Sequence, residues 1–107
     1  MSMDDCIFCK LIKGEIPREF LYEDDEFVAF NSNAPVADTH ILIVPKKHLS
    51  TFMELDKEIL GMTKVAQKII RSKKLEGAYR LCFNGGKYLE VFHVHLHLLG
   101  GNIKSYT

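Results

Sequence analysis

Five histidines and three cysteines carry most of the reactive chemistry in this chain of 107 residues, and they are unevenly spaced. His93, His95 and His97 fall together in Phe92-His93-Val94-His95-Leu96-His97-Leu98-Leu99. Side chains alternate faces along a strand, so the three imidazoles are expected on one face and Val94, Leu96 and Leu98 on the other. Neighbours on a face stand about 6.5–7 Å apart. Rings in such a row pack poorly, and each needs hydrogen-bond partners if buried. Three uses are open: a polar solvent face, a metal site built on two strand histidines, or nucleophilic and acid–base catalysis. Imidazole titrates near pH 6.5, so it is mostly neutral at pH 7 and can attack phosphorus.

The cysteines narrow the choice. Cys6 and Cys9 form a C-x-x-C pair, and Cys82 sits in the apolar run Tyr79-Arg80-Leu81-Cys82-Phe83 as a small core residue. An odd count, with no basic and apolar leader at the start, argues against a disulfide framework. A redox pair of the thioredoxin kind follows a strand in a βαβ unit, whereas only five residues precede Cys6. Metal binding is the stronger use, provided two further ligands exist.

Other elements must hold these groups. The length suits one domain, 1–107. With 47% hydrophobic and 26% charged residues the chain is globular, which excludes disordered and collagen-like classes. Lysine plus arginine and aspartate plus glutamate both number 14, so no basic field draws in nucleic acid. Lys46-Lys47 and Arg71-Ser72-Lys73-Lys74 read as a solvated face and a helix C-terminus. No apolar run reaches about 18 residues, so no membrane span is expected, and the cytoplasm is the default. The spacing of Ile7, Phe8, Leu11 and Ile12 predicts a short helix over 6–13, stopped by Gly14. Strands are expected over 20–23 and 26–30, joined at Asp24-Asp25, and over 40–45. Apolar positions from Leu55 to Ile70 predict a helix over 55–74, with Asp56 as N-cap and Leu55 and Leu60 as a staple. Strands over 79–83 and 91–99 complete an α+β fold with a mainly antiparallel five-stranded sheet and two helices.

The segment His93-Val94-His95-Leu96-His97-Leu98-Leu99 resembles the signature of the histidine triad (HIT) family at every position. The likeness extends through Cys6-Ile7-Phe8-Cys9, Gly14-Glu15-Ile16-Pro17, Tyr22-Glu23-Asp24-Asp25, Ala29-Phe30, Thr39-His40, Val44-Pro45-Lys46-Lys47-His48 and Leu99-Gly100-Gly101. Within the family the chain looks like the small nucleoside phosphoramidases. That resemblance implies hydrolysis at the α-phosphorus of a purine nucleoside phosphoramidate, with His95 as nucleophile and His97 contacting phosphate and leaving group. It also implies structural zinc on Cys6, Cys9, His48 and His93. A nucleotide pocket is implied over Ile7, Phe8, Leu11, Phe30, Asn31, Ser32, Asn33, Asn84 and Val91 with His95 and His97. The family pairs as two-fold dimers through the long helix and the strand over 79–83, giving a continuous sheet.

Two positions depart from the family. Ser32 stands where an aspartate contacts the ribose hydroxyls, so a charge-assisted bond is replaced by a neutral one. Before the triad, Leu89-Glu90 replaces a Gln-Ser pair that approaches the phosphate, and a carboxylate there repels phosphate unless turned away. Lys87 is the nearest cation in sequence that could compensate. The alternative is therefore a nucleotide-binding or partner-binding module with weak hydrolase activity.

Overall fold

The computed structural model describes residues 5–104. Residues 1–4 and 105–107, which the single-domain expectation and the reading of the N-terminus include, lie outside it. The chain forms α1 (Ile7–Lys13), β1 (Tyr22–Glu23), β2 (Phe27–Asn31), β3 (Ala37–Pro45), α2 (Glu58–Ser72), β4 (Tyr79–Phe83) and β5 (Leu96–Ile103), with single helical turns at Phe52–Glu54 and Gly86–Tyr88. The five strands make one antiparallel sheet in the order β1-β2-β3-β5-β4. The α+β expectation holds. No helix among the described residues is long and apolar enough to cross a membrane.

Strand alternation divides the core between two faces. Phe27, Ala29, Ile41, Ile43, Leu96 and Leu98 pack with Met62, Val65, Ala66, Ile69 and Ile70 of α2. On the opposite face, Val28, Phe30, Leu42 and Val44 pack with Cys6, Phe8, Cys9 and Leu11 at α1. His97 pairs in register with Leu42 and Cys82, so it lies on the α1 face. The β1–β2 turn is held by Asp24, whose Oδ1 accepts the N–H groups of Glu26 and Phe27 at 2.8 Å and whose Oδ2 accepts the Tyr22 hydroxyl at 2.7 Å. Gly14 ends α1 with φ +81, a left-handed conformation that favours glycine.

Several boundaries differ from expectation; β1 starts at Tyr22 and β3 at Ala37, not at 20 and 40. The last strand begins at Leu96, not at 91, so His93 and His95 precede the ladder. There the Val94 N–H donates to the Leu49 carbonyl at 2.7 Å, which draws this stretch toward the loop after β3. The strand also runs on through Gly100-Gly101, where Gly101 adopts φ +74 beside a register shift between Ala37 and Thr39. Finally, α2 starts at Glu58 with Lys57 as N-cap, not at Leu55 with Asp56. The Asp56 N–H instead donates to the Glu58 carboxylate at 2.9 Å, and Leu60 is exposed, so no staple with Leu55 forms.

Candidate active site

Four histidines line or abut one face of the sheet, and their partners fix their tautomers. His40 of β3 accepts the Val36 N–H on Nδ1 at 3.1 Å. A nitrogen that accepts carries no proton, so the proton of His40 is on Nε2. That Nε2 lies 2.9 Å from His97 Nδ1 and donates to it. The proton of His97 is then on Nε2 by the same logic. His95 Nδ1 lies 2.8 Å from the His93 carbonyl, which can only accept, so His95 keeps its proton on Nδ1 and a lone pair on Nε2. The His95 and His97 rings are 4.8 Å apart. One ring thus offers a nucleophilic lone pair and its neighbour a hydrogen-bond-donating N–H.

Burial keeps these rings neutral. His97 is pushed down to about 4, first by desolvation and then by His95 and His40. His95 and His40 are lowered chiefly by the same burial. The Glu90 charge works against it at His95, favouring the protonated ring.

Beside them opens a cavity of about 400 Å³, in the range of small-molecule sites. Of the residues expected in a nucleotide pocket, Ile7, Phe8, Leu11, Phe30, Ser32, Asn33, Asn84, Val91, His95 and His97 line it. Asn31 does not. Phe30 faces the α1 side, and alternation turns the Asn31 side chain to the other face; only the Asn31 backbone carbonyl meets the cavity wall, accepting from Arg18 Nη1 at 3.0 Å. Lys87 is not in the cavity wall either; its Nζ lies 5.3 Å over the Tyr88 ring. Glu90 does line the cavity. Cys82 is only half-buried, and its thiol donates to Asn84 Oδ1 at 3.3 Å. This turns Asn84 Nδ2 to within 3.5 Å of His97 Nε2, two donors side by side that suit one anionic oxygen.

Sequence reasoning missed His40 and Arg18 as wall residues. For His40 a signal existed: a histidine opening an otherwise apolar β-branched strand has no packing value there.

A second cluster lies behind the first. Cys6 Sγ is 3.4 Å from His93 Nδ1, and Cys9 Sγ is 3.2 Å from His48 Nδ1 and 3.5 Å from His93 Nδ1. The four candidate ligand atoms lie within 4.8 Å of one another. Tetrahedral zinc with its usual bond lengths sets neighbouring ligands about 3.3–3.8 Å apart. His93 Nε2 donates to the Pro45 carbonyl at 2.7 Å, which leaves the Nδ1 lone pair facing the sulfurs. Desolvation, then Cys6, pushes the Cys9 thiol up to about 11, a cost that a bound cation relieves. The donor set therefore fits a metal ion.

Comparison with known proteins gives this arrangement its family. Residues 13–103 match the HIT domain. The chain belongs to the HIT family. The purine nucleoside phosphoramidase of Escherichia coli strain K12 is 41% identical over 105 residues, covering 92% of this chain and 88% of the relative. A HIT family hydrolase from Legionella pneumophila Philadelphia 1 matches with TM-score 0.87 and 38% identity over 95% of this chain and 97% of its own. A zinc-bound histidine triad family protein from Mycobacterium smegmatis matches with TM-score 0.84 and 30% identity over 94% of this chain and 78% of its own. The chain is a HIT hydrolase, and its histidine triad is His93, His95 and His97.

Proposed function

We propose that the chain hydrolyses purine nucleoside phosphoramidates to a nucleoside monophosphate and an amine. The observation that carries this reading is the His93 carbonyl against His95 Nδ1, which leaves the Nε2 lone pair free. His95 Nε2 attacks the α-phosphorus, and the P–N bond breaks as the leaving nitrogen, protonated from solvent, departs as the amine while the neutral His97 Nε2–H donates a hydrogen bond to the phosphate and leaving group. A water then attacks the phosphorus and releases its proton to solvent. The bond from phosphorus to Nε2 breaks, and the monophosphate departs. Two easier steps replace one hard one. His40 acts through His97, holding its Nδ1 as an acceptor and so its Nε2 as a donor.

The apolar wall of Ile7, Phe8, Leu11, Phe30 and Val91 suits a base. Ser32 and Asn33 suit the ribose, and Asn84 with His97 suits the phosphate oxygens. The printed activity of the Escherichia coli relative supports the substrate class. Zinc on Cys6, Cys9, His48 and His93 would be structural, holding α1 against the end of β3 and the segment before β5. A homodimer is part of the same reading: β4 is an edge strand with Tyr79 and Leu81 exposed, open to pairing with a second copy.

Glu90 favours a second reading, a nucleotide-binding module with weak activity, because its carboxylate shares the cavity with any bound phosphate. Release of AMP from adenosine phosphoramidate separates the two. His95→Ala should lower turnover by on the order of 10³-fold or more while AMP still binds. Wild-type protein that binds AMP but releases none in a His95-dependent way supports the second reading.

A further inference from the structure

The proposed chemistry uses neither charged residue of the cavity wall, Glu90 or Arg18. Arg18 lies against the apolar wall. It is half-buried, with Cζ 5.1 Å from the Phe30 ring centroid, and Nη1 donates to the Asn31 carbonyl at 3.0 Å. That is its one hydrogen bond among the described residues, and no carboxylate among them pairs with it. A guanidinium carries five N–H donors in a planar fork, so most of this fork is uncommitted.

The aromatic contacts connect this fork to the chemistry. Phe30 meets Phe8 edge-on at 5.5 Å, and Phe8 meets His95 edge-on at 5.1 Å. A flat base attached through its sugar to a phosphorus at His95 has this aromatic and aliphatic wall to lie against. Its edge then meets Arg18 at the far end of the row. Guanine presents two acceptors together, O6 and N7. Adenine presents N7 beside an amino group, which is a donor and opposes a second N–H. Resting on the phosphoramidase reading, we propose that Arg18 is a specificity-determining residue that selects guanine over adenine.

Calorimetric titration of the full-length chain with GMP and with AMP tests this directly, alongside kcat/KM for guanosine and adenosine phosphoramidates. GMP should bind about tenfold more tightly or better, as expected for a bidentate contact. Arg18→Ala should bring the GMP-to-AMP ratio to within about twofold of one, the loss expected when that contact is removed. Arg18→Lys, which keeps the charge but not the fork, should also lose most of the preference. Equal binding by the wild type overturns the proposal, as does a ratio that survives Arg18→Ala or is kept in full by Arg18→Lys. Arg18-dependent binding of adenosine 3′,5′-bisphosphate more tightly than GMP would also overturn it, by assigning the fork to a ribose phosphate. If GMP preference holds but neither phosphoramidate is turned over, the hydrolase substrate fails and the base selection stands.

Discussion

The tautomers of three rings follow from groups that cannot change roles: an amide N–H at His40, a ring N–H passed from His40 to His97, and a carbonyl at His95. This has a consequence for pH dependence. An ordinary histidine would lose its lone pair as pH falls through about 6.5. His97 is pushed down to about 4, and His95 is also lowered, both chiefly by desolvation. A depressed value means that the neutral, active form persists below the ordinary titration point and is lost only at lower pH. The acid limb of kcat/KM, corrected for the substrate's own ionisation, should therefore fall below pH 6.5. A limb at or above that value would mean that water or Glu90 dominates around His95. The same neutral rings set a cost on acid stability. Unfolded His97 takes up a proton near pH 6.5 while folded His97 waits until about 4, so its share of stability, about 3 kcal/mol, is present above 6.5 and lost toward 4.

At the scale of elements, alternation was the strongest signal in the sequence and also the source of its errors. It placed His97 correctly opposite Leu96 and Leu98, because β5 is regular there. Asn31 entered the expected pocket through the family resemblance; because β2 runs to Asn31, alternation turns its side chain to the other face instead. Alternation extended the last strand back over His93 and His95, because a residue pattern does not reveal that Leu49 captures the Val94 amide. The last strand was expected to end at Leu99, yet Gly100 and Gly101 are strand residues of β5. Arg18 carried no pattern at all: its role depends on β2 passing beside the segment after α1. The α2 stripe was legible, but Gly61 inside it was not. A Cβ there would lie 2.4 Å from Phe27 Cε2, so this glycine lets α2 approach β2. Gly61→Ala gains helix propensity of up to about 1 kcal/mol and loses about 1–3 kcal/mol to overpacking. Because the contact is an aromatic ring buried in the core, the loss should win. Urea denaturation should show a lower midpoint at unchanged slope. An unchanged or raised midpoint would mean that Phe27 moves freely.

Across the whole molecule, the two clusters divide the work of a small core. The sheet buries apolar residues on both faces, but α1, the helix on one of them, has only seven residues. A helix this short is marginal without tertiary anchors. Cys6 caps α1, Cys9 lies within it, His48 follows β3, and His93 precedes β5, so a metal ion on these four would tie one face of the molecule together. It would also fix the His93 carbonyl, which holds His95 in its nucleophilic tautomer. Stability should then depend on the metal more than the chemistry does. Protein purified without chelator should contain close to one equivalent of zinc. Stripping it should lower Tm by about 10 °C or more, since 1 kcal/mol moves Tm by about 4–8 °C in a domain of this size. Added zinc should restore Tm, and Cys9→Ser should start near the stripped value. Well below both melting temperatures, kcat should change far less than Tm, because neither His48 nor His93 donates or accepts a proton in the reaction. Less than about a tenth of an equivalent of zinc, with Tm indifferent to chelator, would mean that the cysteines and histidines hold the face by packing and hydrogen bonds alone.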